Sequence, residues 1–143
     1  MALLDIQAMF SDAQAITATA VSTNHINTGN KMTAPRAPAA TTGDLGGSGA
    51  IPVLVQVVEA FAGGTSLVAE LQSSETADFA VAKTIASTPV MAVSDLPVGA
   101  KLPIPVVPVG TSQQYLRMNY VVVGTMTGGK ITAGISAGNQ TNG

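Results

Sequence analysis

Cysteine and tryptophan are absent from this 143-residue sequence, which also contains a single histidine, His25. Without cysteine there can be no disulfide framework, no thiolate-bound zinc or iron–sulfur cluster, and no thiol nucleophile. One histidine cannot build a histidine-rich metal site within one chain. Aromatic residues make up only 3% of the sequence, which leaves little material for stacking nucleic-acid bases. We therefore predict no metal, no cofactor and no nucleic-acid partner.

Charged residues are also scarce. They make up 10% of the sequence, whereas an average soluble domain has about 25%. Six basic and eight acidic side chains give a formal net charge of −2, so the chain has no basic stripe for phosphate groups. A surface built instead of Thr, Ser, Gln, Asn and Gly costs little to desolvate, which favours contact with another protein.

Long apolar runs and a secretory signal are missing as well. The most apolar stretch, residues 51–62, is interrupted by Gln56 and Glu59 and is too short to span a bilayer. The first seven residues carry Asp5 but no basic residue, whereas a secretory signal begins with a basic region. We therefore expect no membrane partner and a chain that is made in the cytoplasm or built into something assembled there.

Apolar and polar residues alternate with a period of two through much of the sequence. The clearest examples are residues 53–58, 66–72, 115–122 and 130–136. This period is typical of β-strands that bury one face. Turn signals such as Gly63-Gly64 and Gly128-Gly129 separate the strands at short spacing, which indicates a sandwich or a barrel. The pattern predicts a single all-β domain over residues 13–143.

Three regions do not fit the core pattern. Residues 1–12 precede the first clear strand, and they predict a short amphipathic helix or an extended N-terminal arm that packs on a neighbouring subunit. Residues 28–50 are rich in Thr, Gly, Ala and Pro, which predicts one long loop or insertion. Pro103 and Pro105 interrupt an apolar stretch, and because proline cannot donate to a ladder, we predict an edge strand or an extended surface segment there.

Few residues are candidates for chemistry. Residues 124–130 look like a phosphate-binding P-loop, but isoleucine follows the lysine and the next residues alternate like a strand, so a glycine-rich turn is expected. His25 has no evident nucleophile partner, which indicates a structural or interface role. Glu70, Glu75 and Asp78 lie close together in sequence but lack the spacing of an EF-hand and any partner that would perturb them. The sequence therefore predicts that the protein is not an enzyme.

Six stretches of this sequence occur in an order that resembles a known family. They are residues 9–15, 44–46, 60–67, 70–74, 114–120 and 130–135. The sequence is similar in these stretches to the Bbp16-type capsid cement proteins of tailed bacteriophages, and it departs from them around residues 29–42. The resemblance implies a jelly-roll-like antiparallel β-sandwich without a catalytic site.

The resemblance also implies a function. It implies a cement (decoration) protein of the virion, assembled in the host cytoplasm, which lies on the outer surface of the capsid and bridges neighbouring major capsid subunits. The major capsid protein is the expected partner, and we predict a homo-oligomer, with a dimer favoured. The predicted capsid contacts are Leu4, Ile6, Met9, Phe10 and Arg36. The predicted self-association residues are Pro103, Pro105 and Tyr115.

Two alternatives remain at the level of sequence. Residues 1–12 could pack across their own sandwich instead of reaching a neighbour, because termini are usually disordered unless tied down. The domain could also be a jelly-roll carbohydrate-binding module, or a tail or adhesion module of a virion. Carbohydrate sites of this kind usually present aromatic rings, and this sequence has few.

Overall fold

Antiparallel β-strands make up most of the structure, a computed structural model that describes residues 4–28, 31–32, 36, 41–42, 51–104, 106–108 and 113–136. Across these residues we find one short 3₁₀ turn, Val93–Asp95, and no α-helix. The strands are β1 (Leu4–Ala15), β2 (Ala20–Val21), β3 (Ile26–Asn27), β4 (Lys31–Met32), β5 (Thr41–Thr42), β6 (Val53–Gly63), β7 (Ser66–Ser74), β8 (Lys83–Ser87), β9 (Met91–Ala92), β10 (Tyr115–Val123) and β11 (Met126–Ser136). The described residues contain no helix that could span a membrane.

Two antiparallel sheets pack against each other. The three-stranded sheet has the order β1-β11-β6, and the six-stranded sheet has the order β2-β10-β7-β8, with β3 also paired to β10 and β9 to β7. A separate two-stranded ribbon joins β4 to β5, within the predicted long loop, most of which lies outside the described residues. The all-β antiparallel sandwich predicted from the sequence is confirmed.

The core lies between the two sheets and is built from the apolar positions of the alternating pattern. The six-stranded sheet contributes fully buried residues from two neighbouring strands: Leu67, Ala69, Leu71, Leu116, Met118 and Tyr120. The three-stranded sheet faces them with Phe10, Val53, Val55, Val57, Phe61, Ile131 and Ala133. Burying each large apolar side chain contributes about 1.5–3 kcal/mol, so period-two patterning is the main cause of the fold.

Two tight connections cross from one sheet to the other. β6 and β7 belong to different sheets, and so do β10 and β11. Gly63 and Gly64, at the first corner, have φ of +70° and +60°, and Gly124, at the second, has φ of +86°. A Cβ on Gly124 would lie 2.9 Å from the Cα of Gly64. The two corners therefore touch, and only glycine fits the contact.

The turn predicted at Gly128-Gly129 is wrong, because both residues lie inside β11. The register of β11 against β6 shifts at this point, which marks a β-bulge. Gly129 has φ of +133°, and a Cβ there would lie 2.4 Å from Cδ1 of Phe61. Glycine is required here for the bulge and for the close approach of the Phe61 ring, and the chain does not reverse. Since a strand follows the corner at Gly124, the P-loop-like residues 124–130 also lack the helix that phosphate binding needs.

The residues predicted as an N-terminal arm form β1 from Leu4 onward. This strand pairs with β11 from Leu4↔Ser136 to Ala15↔Lys130. The predicted boundary between residues 12 and 13 therefore falls inside a continuous strand, and no separate arm is seen over residues 4–12. The physical reason is the burial of Phe10, which is 0% exposed and packs in the core of its own sandwich.

The segment that contains the prolines runs along the outer edge of β6. The amide of Leu102 donates to the carbonyl of Val55 at 2.8 Å, and the amide of Val57 donates to the carbonyl of Ala100 at 2.9 Å. Isolated bridges join Gln56 to Lys101 and Pro52 to Val106. This pairing confirms the predicted extended edge segment, in which Pro103 is exposed, whereas Pro105 lies outside the described residues.

Candidate interaction surface

The outer face of the six-stranded sheet has a polar half, a small aromatic cluster and an apolar half. β10 and β7 pair at nine successive positions, from Tyr115↔Ser74 to Val123↔Ser66. Residues alternate between the two faces of a sheet. Because Leu116, Met118 and Tyr120 point into the core, the odd-numbered residues of β10 and the even-numbered residues of β7 point outward.

One half of this face is polar, and its side chains are bonded to each other. Arg117 Nε donates to Gln72 Oε1 at 3.0 Å, and Asn119 Nδ2 donates to Glu70 Oε2 at 2.9 Å. Gln72 Nε2 also reaches Glu70 Oε2, at 3.4 Å. Within the described part of the chain, no buried side-chain nitrogen or oxygen lacks a hydrogen-bond partner. This half is therefore a polar network whose side chains bond to each other across the two strands.

A small aromatic cluster lies at one end of the polar half. The Phe79 ring covers the guanidinium of Arg117, whose Cζ lies 4.4 Å from the ring centroid. The His25 ring lies edge-on to Phe79 at 5.9 Å and to Tyr115 at 5.8 Å. Partial burial lowers the pKa of Arg117, but an arginine stays charged at neutral pH. His25 thus has a packing role between two rings, although its own side chain is exposed.

The other half of the face is apolar and open to solvent. Val21, Val90 and Val123 are 42%, 71% and 56% exposed, respectively. Val121 and Val68 are half-buried and pair with each other. Val21 pairs with Asn119, and Val90 directly precedes Met91, which pairs with Leu67, the neighbour of Val68 along β7. We call these five residues the valine band. A contiguous exposed apolar patch of this kind marks an interaction site more often than scattered single residues do.

Four of the five predicted capsid contacts lie in one strand, β1. Phe10 is fully buried inside this chain and is not available to a partner, which corrects that prediction. Met9 is half-buried, and Arg36 is an exposed turn residue with φ of +69°. Leu4 and Ile6 lie in β1, but their side chains are outside the described part of the structure. None of these residues belongs to the valine band.

The predicted self-association residues are separated. Tyr115 lies on the outer face of the six-stranded sheet, beside His25. Pro103 lies in the segment along β6, in the other sheet. The valine band can be recognised in the sequence by apolar residues at outward positions of alternating strands. At these positions a polar residue is expected, but Val68 and Val121 are apolar.

Two of the three carboxylates that were considered for chemistry, Glu70 and Asp78, form local hydrogen bonds. Glu70 belongs to the polar network. Asp78 Oδ1 accepts hydrogen bonds from Thr76 Oγ1 at 2.6 Å and from the Ala80 amide at 3.2 Å, which lowers the pKa of Asp78. Among the described residues, no group of three or more metal-ligating side chains could hold a metal ion.

Comparison with known proteins identifies a family that this chain matches. The model of the Bbp16 family matches residues 10–135 of this chain. The matched range begins in β1 and ends in β11, so it includes both sheets of the sandwich. No curated protein matches the chain.

Proposed function

We propose that this chain, which belongs to the Bbp16 family of phage-related proteins, is a structural cement protein of a phage head. In this role it binds the outside of the assembled shell and bridges neighbouring major capsid subunits. The partner is the major capsid protein, and the activity is adhesion without catalysis. The net charge of −2 suits the outer surface of a head better than the surface that faces DNA.

The valine band is the observation that carries the proposal. It offers five apolar side chains on one sheet face, and none of the five carries a charge. Burying such side chains against another protein is favourable, at about 25 cal/mol for each Å² of apolar surface. Side chains of the adjacent polar network already bond to each other. Docking therefore desolvates few groups that would lose partners.

The mechanism is additive. Each copy bound across a seam between shell subunits adds contacts that must break before a subunit can leave. We propose that the protein acts as a homo-oligomer, with a dimer favoured, because linking two sites raises apparent affinity by roughly 10²–10⁴ without new contacts. Leu4, Ile6, Met9 and Arg36 remain predicted shell contacts, and Pro103, Pro105 and Tyr115 remain predicted self-association residues.

Binding to heads that lack this chain tests the proposal. We expect the wild-type protein to co-sediment with such heads, and Val123→Asp and Val90→Asp to bind at least about tenfold more weakly. Val98→Asp is the matched control, because Val98 is 66% exposed but lies in the turn that leads to the segment along β6. Thermal unfolding should be similar for all variants, since the substituted side chains are exposed.

Four results would contradict parts of this proposal. Wild-type protein that does not bind heads would remove the cement role, and equal binding by Val123→Asp and Val98→Asp would remove the valine band from the contact. Quantitative mass spectrometry of purified particles gives the third test. Copy numbers in the hundreds support cement, whereas a few copies would indicate a tail or vertex component. Saturable binding on a glycan array would instead favour a carbohydrate-binding or adhesion module.

A further inference from the structure

Arg117 is held in one position on the outer face of the six-stranded sheet. Its Nε donates to Gln72 Oε1 at 3.0 Å, and its Cζ lies 4.4 Å from the centroid of the Phe79 ring. The amide fixes one edge of the planar guanidinium, and the ring covers one of its faces. Phe79 is itself only 7% exposed. The arginine side chain has therefore lost much of its rotamer freedom before any partner binds, which lowers the entropy cost of binding.

The two terminal nitrogens of Arg117, Nη1 and Nη2, remain available to another molecule. Within the described residues, the guanidinium forms its hydrogen bond through Nε alone. A guanidinium carries five N–H donors, so four are left on Nη1 and Nη2. In the same part of the chain, no buried side-chain nitrogen lacks a hydrogen-bond partner. Nη1 and Nη2 must therefore be open to solvent and to an incoming group.

No carboxylate among the described residues pairs with Arg117, although acids lie on neighbouring elements. Glu70 Oε2 accepts hydrogen bonds from Asn119 Nδ2 at 2.9 Å and from Gln72 Nε2 at 3.4 Å. Asp78 Oδ1 accepts its hydrogen bonds from within its own loop. Partial burial lowers the pKa of Arg117, and no acid opposes that shift. The guanidinium is therefore a half-buried positive charge without a counterion in the described part of the chain.

The geometry and the charge of Arg117 fit a carboxylate. The two oxygens of a carboxylate accept two parallel N–H bonds from a planar guanidinium, and such bonds between charged groups are about twice as strong as neutral ones. A docked partner also excludes water, which lowers the effective dielectric constant and strengthens the attraction between the charges. Arginine is one of the residue types that dominate binding energy at protein interfaces. These properties indicate an acidic side chain as the group that Arg117 can bind.

Arg117 and the valine band lie on the same sheet face, so one partner can contact both. Val121 follows Arg117 by four residues in β10. Because a strand rises about 3.3 Å per residue, the two Cα atoms lie about 13 Å apart. A standard interface buries about 800 Å² of each partner, which is wide enough to cover both positions. A partner that docks on the valine band therefore brings its own side chains within reach of Arg117.

We propose that Arg117 binds an aspartate or glutamate side chain of the partner protein that docks on this face. The carboxylate accepts hydrogen bonds from Nη1 and Nη2, while Gln72 and Phe79 hold the guanidinium in position. The identification of that partner as the shell protein rests on the proposed function, whereas the chemistry of Arg117 does not. A pair enclosed in an interface is screened by salt much less than an exposed pair, so this contact adds little salt dependence to binding.

Titration of the wild-type protein with sodium acetate, followed through the arginine Nε–Hε signals in ¹H–¹⁵N NMR, tests this chemistry directly. The chain has two arginines, so the exposed Arg36 is an internal reference. We expect a saturable shift at Arg117, with a dissociation constant at least about threefold lower than at Arg36. Acetamide, which is uncharged, should cause no saturable shift. Equal responses of the two arginines to acetate would overturn the inference. So would a preference for inorganic phosphate over acetate that is larger at Arg117 than at Arg36.

Binding of variants to heads that lack this chain tests the partner. Arg117→Gln should bind at least about tenfold more weakly than wild type. Arg117→Lys should also bind more weakly, because lysine keeps the charge but not the planar set of donors. Lys101→Gln is the matched control, since it removes one positive charge from the exposed segment along β6. Equal losses for Arg117→Gln and Lys101→Gln would show a general effect of charge and would overturn a specific pair.

The two experiments distinguish failure of this inference from failure of the proposed function. Equal binding of wild type and Arg117→Gln to heads would overturn the inference and leave the cement role intact. Wild-type protein that does not bind heads would contradict the cement role, whereas preferential binding of acetate at Arg117 would still support a carboxylate site. If thermal unfolding shows that Arg117→Gln does not fold, the acetate titration still decides, because it uses the wild-type chain.

Discussion

At the residue scale, Ser11 and Tyr120 form a hydrogen-bonded pair between the two sheets. Their hydroxyl oxygens lie 2.9 Å apart in the core. Ser11 Oγ also donates to Gln14 Oε1 at 2.8 Å, so Tyr120 must donate to Ser11. The Ser11 hydroxyl is therefore the acceptor for the hydroxyl of the fully buried Tyr120. Substitution of Ser11 and substitution of Tyr120 should therefore change the stability by different amounts.

We expect Ser11→Ala to destabilise the protein more than Tyr120→Phe does. Tyr120→Phe removes one hydrogen bond and leaves Ser11 bonded to Gln14, which costs about 1 kcal/mol. Ser11→Ala leaves a buried phenol without an acceptor, which costs about 1–3 kcal/mol. Urea unfolding of both variants and of the double variant measures these values. A larger loss for Tyr120→Phe would contradict the assigned direction of the hydrogen bond.

The same tyrosine predicts how stability depends on alkaline pH. Burial raises the pKa of Tyr120, and the hydrogen bond with Ser11 opposes this shift only in part. An unfolded tyrosine ionises near about pH 10. Above that pH the unfolded chain has lost a proton that the folded chain keeps, so the free energy of unfolding falls as pH rises.

Comparison with Tyr120→Phe isolates this pH effect from that of other groups. Below about pH 9 the difference in stability between wild type and Tyr120→Phe should be constant. Above about pH 10 wild type should lose up to about 1.4 kcal/mol per pH unit relative to the variant. Urea unfolding at a series of pH values measures the difference, and parallel curves up to about pH 12 would contradict the burial of the phenol.

At the scale of the elements, the alternating pattern predicted which face of a strand is buried but not which strands pair with each other. The core positions of β7 and β10 follow from the pattern alone, because burial of one sheet face requires a period of two. The pairing of β1 with β11 could not be predicted in this way, since it depends on contacts between residues more than 100 positions apart. Gly128-Gly129 was misassigned because a bulge and a turn use the same residue type.

Gly129 and Gly99 provide a test of the bulge. Both have positive φ, but a Cβ on Gly129 would collide with the Phe61 ring, whereas nothing lies within 4 Å of a Cβ on Gly99. Gly99→Ala should therefore cost only the backbone strain, about 1–2 kcal/mol. Gly129→Ala should cost about 1–3 kcal/mol more, because the core must also shift. Equal losses of stability in thermal or urea unfolding would contradict tight packing at the bulge.

At the scale of the whole molecule, the sequence predicted the sandwich better than it predicted the surface. Low charge indicated contact with another protein, but it did not indicate which face makes that contact. The valine band joins residues from β2, β7 and β10 with Val90, beside β9, so it exists only after the sheet has formed.

Contact through an apolar band predicts the thermodynamics of binding to heads. The heat-capacity change should be negative, because binding buries apolar surface. Affinity should change little between about 0.05 and 0.5 M NaCl, since salt screens charges but not apolar contacts. Calorimetry at several temperatures and sedimentation at several salt concentrations measure both quantities. A steep loss of affinity with salt would show that charged pairs dominate the contact.

The pairing of β1 with β11 has a consequence for the synthesis of the chain on the ribosome. The strand that is synthesised early hydrogen-bonds with the strand that is synthesised last among the described residues. Contacts this distant in sequence make folding slow, because a long loop must close before they form. Until β11 has been synthesised, the nascent chain therefore exposes unpaired strand edges. It also has few charges to repel neighbouring copies. Aggregation is therefore most favoured during this stage of synthesis.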